Sequence, residues 1–461
     1  MDGTLGTRPV PAPSRGVVAA YALVTALSVL STSAVSVVIP QLAGDLVLDT
    51  SAAGWVLAAF SVTFPVGTVL FGQLADRLGA RRTWVLGATL FVSGGLFAAV
   101  SPSFLTIVAG RLVQGVGAGA IPVLTLVRVA VGDDAERASR VGFLTAVVSI
   151  HSGAGPLIGG GVASVLGWRG ALALPVVALL VAVPIWRDLP ERGSAGHRVD
   201  WVGAALLLTV IAAPLVALRL VSLALGGPIG LLLVATGIAA ALLALRVRRV
   251  PDGLLQRDLI TDVRLVGAGV AAMCLLAVYL GGMFAVPLLL AERYGLGPLA
   301  LGVAVLPAAV VGTLTARLIG TRVPPRYWSR AAAASFPASL LGVLLVAGSA
   351  APVIWVLGLC LLAVASMGSQ VVLTTESLSP EGDPQASAAI STFQLLLFSG
   401  AAFGPVVVGA VAQATSLRVG VASSVALLAL GLVALLARRG TAAKIFSPTL
   451  IPTSRSGGTE E

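Results

Sequence analysis

The chain is poor in charge. Asp, Glu, Lys and Arg together make up 10% of its 461 residues, whereas a soluble domain carries roughly a quarter, so a water-soluble globule is excluded. Lysine is almost missing. Lys444 is the only one, and it follows Thr441, Ala442 and Ala443 rather than a glycine-rich run. A phosphate-cradling loop needs both the glycines and the lysine, so no ATPase is built into this chain and no use of ATP is expected. The two cysteines, Cys274 and Cys360, lie inside apolar stretches, which leaves no disulfide framework and no thiolate metal site. Two histidines, His151 and His197, are too few for a multi-histidine metal centre, and no cofactor is expected.

What the chain has in abundance is apolar and small residues. The hydrophobic share is 57%, mean hydropathy is +1.02 and glycine occurs 54 times. The apolar content falls into stretches long enough to cross a bilayer, and small residues let helices approach closely in lipid. Fourteen spans are predicted, at 17–40, 52–74, 83–100, 104–127, 141–166, 170–186, 201–221, 229–247, 265–290, 300–320, 331–349, 352–373, 390–413 and 419–437. The net charge of +10 comes from arginines in the links between spans rather than from one basic face, so nucleic acid is not an expected partner. With the N-terminus in the cytoplasm, only Arg169, Arg293 and Arg418 fall in outer loops, and Arg111 and Arg219 fall within spans. That asymmetry predicts both termini in the cytoplasm. Met1 to Arg15 is polar and Pro-rich, unlike a cleavable signal peptide.

The link after span two reads Gly72-Gln73-Leu74-Ala75-Asp76-Arg77-Leu78-Gly79-Ala80-Arg81-Arg82. Gly72 allows close helix contact, Asp76 can pair with nearby arginine, and Gly79 permits an unusual turn. An echo lies 245 positions later, where Gly312-Thr313 is followed by Arg322 and Arg326 at the offsets that separate Gly67-Thr68 from Arg77 and Arg81. Thr321 stands there at the place of Asp76, so the second copy has lost its acid. Span four carries Arg111 and, one turn on and on the same face, Gln114, within the run Arg111 to Gly119. An arginine inside a span costs about 2.5–3.5 kcal/mol on insertion scales and ordinarily faces a cavity or a partner; satisfaction by neighbouring carbonyls is the other reading. Span five holds Gly142, His151, Gly155-Pro156 and Gly159-Gly160.

These motifs resemble those of the major facilitator superfamily. The Gly72–Arg82 segment resembles its signature loop and Arg111 its second motif. Gly142, Gly155, Pro156, Gly159 and Gly160 resemble the helix motif found in its exporters. Trp55, Ala59-Phe60, Thr63-Phe64 and Gly67-Thr68, with fourteen spans, make the chain most similar to the fourteen-span drug/proton antiporters, and within them to the tetracycline/proton exporters of Gram-positive bacteria. The resemblance implies an all-α polytopic membrane protein with two six-helix bundles and two additional central spans. It implies a bundle at 17–186, a linker with two spans at 187–264, a second bundle at 265–437, and tails at 1–16 and 438–461. It also implies that Arg111 and Gln114 serve proton coupling or substrate orientation, and that Gly72, Asp76, Arg77, Gly79, Arg81 and Arg82 form a cytoplasmic gate. The export-motif helix would close the outer side.

The chain departs from that branch in its carboxylates. Ser31 stands where many relatives have Asp, Ser152 where tetracycline exporters have Glu, and Gly400 or a neighbour where a second acid is found in span thirteen. Glu292 and Glu376 sit at span ends. His151 lies roughly 15 Å into span five at 1.5 Å per residue, near the middle of a ~30 Å core. A side chain with a reference pKa of ~6.5 either replaces the missing carboxylate in proton coupling or lines the cavity as a neutral, hydrogen-bonded ring. Ser31, Ser33, Ser36, Tyr279, Gln370 and Gln394 are candidate cavity groups, and each also suits a helix–helix hydrogen bond.

The reading is an exporter of antibiotics or other hydrophobic small molecules across a bacterial cytoplasmic membrane, acting as a monomer by proton antiport with alternating access. A narrow-substrate metabolite exporter or an uncoupled uniporter is the alternative. An enzyme would need convergent acid, His or Cys groups that this chain lacks. Near-exclusive use of arginine over lysine fits a GC-rich bacterial genome.

Overall fold

A computed structural model describes residues 13–129, 134–190, 199–225, 228–250, 253–376 and 386–445. Arg192, His197, Arg198 and Arg455 lie outside these residues, as do most of both predicted tails. Among the described residues there are α-helices, two short 3₁₀ segments and no strand. In order they are α1 (Arg15–Ser36), α2 (Ile39–Asp45), α3 (Thr50–Leu78), α4 (Ala80–Val100), α5 (Phe104–Ala118), α6 (Ala120–Val129), α7 (Asp134–Ala173), α8 (Ala182–Asp188), α9 (Trp201–Ser222), α10 (Ile229–Arg249), α11 (Arg257–Thr261), α12 (Val263–Tyr294), α13 (Pro298–Arg322), α14 (Trp328–Gly348), α15 (Pro352–Glu376), α16 (Ala386–Ala414), α17 (Leu417–Ser423) and α18 (Val425–Ile445). The arginine-rich end of the bundle is termed the inner end and the opposite end the outer one.

Thirteen segments among the described residues are long and apolar enough to cross a membrane. Thirteen becomes fourteen because one of them, Ala154–Asp188, turns back on itself. Gly167 has φ +67° and ψ −179° inside α7, a conformation outside any helix that glycine adopts freely. Both ends of the whole run from Asp134 to Asp188 sit at one end of the bundle. Arg140 near its start donates to the Val129 carbonyl, and Asp188 at its finish binds Arg128 two-pronged at 2.7 Å in both bonds. Residues 134–166 therefore run outward and 168–188 return, the second leg starting as α-helix, passing through 3₁₀ turns over Leu174–Val181 and ending in α8.

Other spans depart from the predicted continuity. The first stops at Ser36, turns through Val37 and Val38, and resumes as α2 with Pro40 in its first turn, where no amide is needed. The fourth is α5 and α6, stepped at Gly119, whose backbone lies against Gly67 of α3. The last is α17 and α18, stepped at Ser424.

Two apolar cores form. One is built mainly of α12–α18 and takes in the outer ends of α1–α3. The other is built of α1, α3–α6, α8 and α9 and also holds Leu395, Ala402 and Val406 of α16. Helix α9 packs beside α3 and α16, whereas α10 is peripheral, with only Ala239 and Val247 buried. Charge pairs fasten α9 at both ends. At the outer end Arg219 clasps Asp49 through bonds of 2.6 and 2.8 Å, and Ser222 bonds Ser51 at 3.0 Å. At the inner end Asp200 accepts from Arg246 at 2.7 Å while its own amide donates to Gln73 of α3 at 2.9 Å.

Asp49 also caps α3, accepting from the Ala52 amide at 2.8 Å. Burial raises its carboxyl pKa, but the hydrogen bonds from Arg219 and Ala52 outweigh burial and hold it below the usual carboxylate value. A depressed folded pKa means the clasp stabilises the protein above the unfolded value of about 3.9 and is lost as pH falls through the lower folded value. Asp49→Asn keeps a capping oxygen and loses the ion pair. Thermal unfolding in detergent should show it roughly 1–3 kcal/mol less stable than the parent at neutral pH, with the gap closing as pH falls below the ordinary carboxylate value of about 3.9.

Candidate functional site

The site is organised by Arg111. Ser103 caps α5, and Gly115 lets that helix lie against the Phe60 carbonyl of α3, where any Cβ would collide. That close approach carries Arg111 into the interior, where it is 0% exposed. Its Nε donates to the Val56 carbonyl at 3.2 Å, and one terminal nitrogen donates to the Ser31 carbonyl at 3.1 Å and to Gln114 Oε1 at 2.7 Å. The guanidinium also lies 4.8 Å from the centre of the Phe60 ring. No carboxylate pairs with it among the described residues; the other terminal nitrogen, Nη2, is buried without a protein partner. A permanent cation with unused donors is a binding group for an acceptor that enters from outside the fold.

Of the predicted cavity groups, Ser31 participates through its backbone carbonyl, while its hydroxyl bonds back to Leu27 at 2.9 Å. Ser36 likewise bonds the Ser33 carbonyl at 2.7 Å. The Ser33 hydroxyl is buried without a partner and lies against Gly155 of α7. Tyr279 is buried in α12, Gln394 has a buried side-chain oxygen without a partner, and Gln370 is half-buried.

His151 stands apart from the guanidinium's hydrogen-bond set. Its Nδ1 lies 2.9 Å from the Val147 carbonyl one turn earlier. A carbonyl only accepts, so Nδ1 carries the proton of that bond and Nε2 is the basic nitrogen. The ring is half-buried.

The export-motif helix is wedged between the two halves. Cβ atoms at Gly155 and Gly159 would strike Ser33 and Ala34 of α1, and one at Gly160 would strike the Pro298 carbonyl of α13. On the opposing face a Cβ at Gly302 would fall 2.5 Å from the Pro156 carbonyl. Gly142 lies in the first turns of α7, far along the chain from that contact. A second seam joins α3 to α16, where a Cβ at Gly54 would fall 2.6 Å from the Pro405 carbonyl and the Thr50 amide donates to Gln413 at 3.0 Å. Both seams lie in the outer half of the bundle.

At the inner end, Gly79 has φ +85° and closes α3 onto the Ala75 carbonyl. Arg81 then reaches α8 of its own half. Its Nε donates to the Leu189 carbonyl at 3.1 Å, its backbone amide donates to Pro190 at 3.1 Å, and its guanidinium stacks 4.9 Å over Trp186. Asp76, Arg77 and Arg82 are exposed and Gly72 is half-buried. Arg81, expected at a cytoplasmic gate, ties α4 to the end of α8.

Several polar groups of the site region were not singled out by sequence. Tyr21 donates to Asp188, which binds the buried Arg128, so α1, α6 and α8 share one network. Arg438 pairs with Glu376 at the inner ends of α18 and α15. Trp168 donates to Asp45 at 2.8 Å across the outer end. For the Arg219–Asp49 clasp the signal was in the sequence: an in-span Arg219 needs a counter-charge, and Asp49 stands at the same membrane boundary. A cavity of about 290 Å³ beside Glu292, Arg293, Trp355 and Arg418 lies at the outer end of the second half, away from Arg111.

Residues 21–381 match the profile of the Major Facilitator Superfamily. The chain belongs to that superfamily. It is therefore a multi-pass membrane transporter and not an enzyme. Among curated relatives, it is 28% identical over 434 residues to the methylenomycin A resistance protein of Streptomyces coelicolor, with 90% of each chain covered. It is 28% identical over 314 residues to the multidrug resistance protein Stp of Mycobacterium tuberculosis, covering 63% of this chain and 56% of that one. The fold is similar to that of a bacterial homologue of the human lysosomal transporter Spinster in an inward-facing, unoccupied conformation, with TM-score 0.66, 15% identity and 94% and 98% of the chains covered. The human organic anion transporter MFSD10 superposes with TM-score 0.62 at 19% identity, covering 93% of this chain and all of that one.

Arg111→Ala and Arg111→Lys should each cut transport by roughly tenfold or more, since each hydrogen bond to a charged group carries about 1.5–3 kcal/mol and lysine cannot reproduce the planar fork. Transport into inverted vesicles, normalised to correctly inserted protein, checks this. Gly302→Leu should force the outer seam apart, raising the labelling of cysteines introduced along α7 by a membrane-impermeant reagent added from the outer side.

Proposed function

We propose that this transporter exports an antibiotic or similar hydrophobic small molecule across a bacterial cytoplasmic membrane. The observation that carries the reading is the likeness to a methylenomycin A resistance protein over 90% of both chains. On this reading the arginine-rich inner end faces the cytoplasm, both termini lie there, and the chain works as a monomer. Residues 17–186 and 265–437 act as two rigid bundles, with 187–264 contributing the two added spans.

Transport proceeds by alternating access. The outer seams at Gly160–Pro298, Gly302–Pro156 and Gly54–Pro405 support a state closed to the outside, in which substrate enters from the inner side. The free donors of Arg111 would hold an acceptor group of the substrate while Phe60 and Phe64 supply apolar contact. Proton influx drives the cycle. With no carboxylate in the middle of any span, His151 takes the proton on Nε2, its ring held by the Val147 carbonyl.

The same lack of carboxylates favours a second reading, an uncoupled narrow-substrate uniporter. The two separate in an efflux-deficient bacterium loaded with a panel of antibiotics and fluorescent drugs. Export coupled to protons lowers accumulation in cells with the intact protein, and a protonophore abolishes the difference. His151→Gln should then abolish pH-gradient-driven transport, and full retention of that transport removes the coupling role of His151. Efflux that survives the protonophore establishes the uniporter, and unchanged accumulation across the panel removes drug export.

A further inference from the structure

The inner link between α13 and α14 is unlike every other inner link in having no acid. Asp76 accompanies Arg77, Arg81 and Arg82. Asp133, Asp134 and Glu136 accompany Arg128, Arg137 and Arg140. Asp252, Asp258 and Asp262 accompany Arg248, Arg249, Arg257 and Arg264. Between Glu292 and Glu376 there is no Asp or Glu at all, yet Arg317, Arg322, Arg326 and Arg330 fall there at the inner end. All four are exposed. Salt bridges among the described residues engage Arg128, Arg140, Arg219, Arg246 and Arg438, and none of these four.

The turn that presents them is stiff. It contains Pro324-Pro325, and it closes through the Tyr327 amide on the Pro324 carbonyl at 2.9 Å and Trp328 Nε1 on the Val323 carbonyl at 2.9 Å. Tyr327 is 41% exposed, and Arg326 and Arg330 both lie against its ring, at 4.9 and 5.9 Å from the centre. Two cations gathered on one ring repel each other, and the ring's own attraction for them is small at an exposed site. In the first half the matching arginine, Arg81, is occupied by the carbonyls at the end of α8, and Asp76 stands nearby in sequence. The second half keeps the cations, has Thr321 in place of the acid, and gives Arg326 no such hydrogen bond.

We propose that the α13–α14 link is a binding site for the headgroup phosphate of an anionic phospholipid in the leaflet at the inner end, the lipid supplying the charge that Thr321 does not. The position selects a lipid over a free anion. The arginines sit where two membrane-crossing helices emerge, with an exposed tyrosine and a tryptophan beside them, the residue types that settle at headgroup level. Each arginine near an anionic surface strengthens attachment by roughly fivefold, and the preset turn reduces what ordering would cost. The inference requires only that the chain spans a bilayer, and stands whatever is transported.

The test uses the full chain in nanodiscs of phosphatidylcholine with or without phosphatidylglycerol, read by native mass spectrometry of retained lipid and by the thermal unfolding midpoint. The wild type should retain phosphatidylglycerol at least tenfold over phosphatidylcholine and unfold at a higher temperature with it, the gain shrinking in high salt. Arg322→Gln/Arg326→Gln/Arg330→Gln should lose that preference, while Arg248→Gln/Arg249→Gln in an acid-containing link keeps it. Should the neutral variant fail to insert, Arg322→Lys/Arg326→Lys/Arg330→Lys preserves the charge and should keep part of the preference. Equal retention of the two lipids by the wild type overturns the proposal. An equal loss in the Arg248/Arg249 variant overturns it too, as does full stabilisation by inorganic phosphate alone in detergent.

Discussion

The outer half of the first bundle is arranged around the hydrogen bonds that Arg111 makes to backbone carbonyls. A guanidinium in the middle of an apolar bundle has to be satisfied, because an unpaired buried charge costs several kcal/mol. No acid pairs with it here. Its acceptors are the Val56 and Ser31 carbonyls and the Gln114 amide oxygen, which requires α1, α3 and α5 to lie close enough for one side chain to touch all three. The small residue at Gly115 makes that spacing achievable. Because these acceptors are neutral, the positive charge is left unneutralised, and Nη2 remains a buried donor with no protein partner.

Acids of this protein are used at the ends of spans rather than inside them. Asp49 with Arg219, Asp200 with Arg246, Asp188 with Arg128 and Glu376 with Arg438 each join two spans where the helices leave the apolar layer. The last two form a pair of their own. Arg128 and Asp188 close the fourth span on the sixth in the first half, and Glu376 and Arg438 close the corresponding spans in the second half with the signs exchanged. The shared position matches the sequence echo between the halves, and the reversal costs little because an arginine–carboxylate pair works with either partner on either helix. Fastening spans at their ends leaves their middles free of strong directional bonds.

Legibility followed the period and sign of the pattern. Spans, their number and the inner end are properties of long runs and of arginine counts, and α3, α9, α12 and α15 stand close to where their apolar runs lie. Local breaks were less visible. Nothing in the run from Val141 to Ile185 marks Gly167 as the reversal point among so many glycines, and the step between α5 and α6 depends on contact with Gly67 of another span. The site divides similarly. Arg111 and Gln114 announced themselves because a charge in lipid is expensive. Ser31 was read for its hydroxyl, whereas the fold uses its carbonyl, which every residue possesses. Arg81 belongs to the signature loop, and its bonds to the carbonyls that end α8 are ones no sequence pattern displays.

The seams between halves differ in kind from the clasps within them. Gly160 on Pro298, Gly302 on Pro156 and Gly54 on Pro405 are backbone-to-backbone contacts made by removing side chains, with dispersion as their main attraction. Such attraction is large while surfaces touch and falls away within an ångström or so. The clasps inside each half are charge-assisted hydrogen bonds at span ends, which resist separation and are replaced at higher cost. A bundle built this way yields first between its halves and last within them. Pro156 sits at the seam itself, where its ring removes one helix hydrogen bond and lets α7 bend about the contact instead of breaking it. Backbone seams between the halves and charge-assisted clasps within them are the features that support the alternating access proposed above.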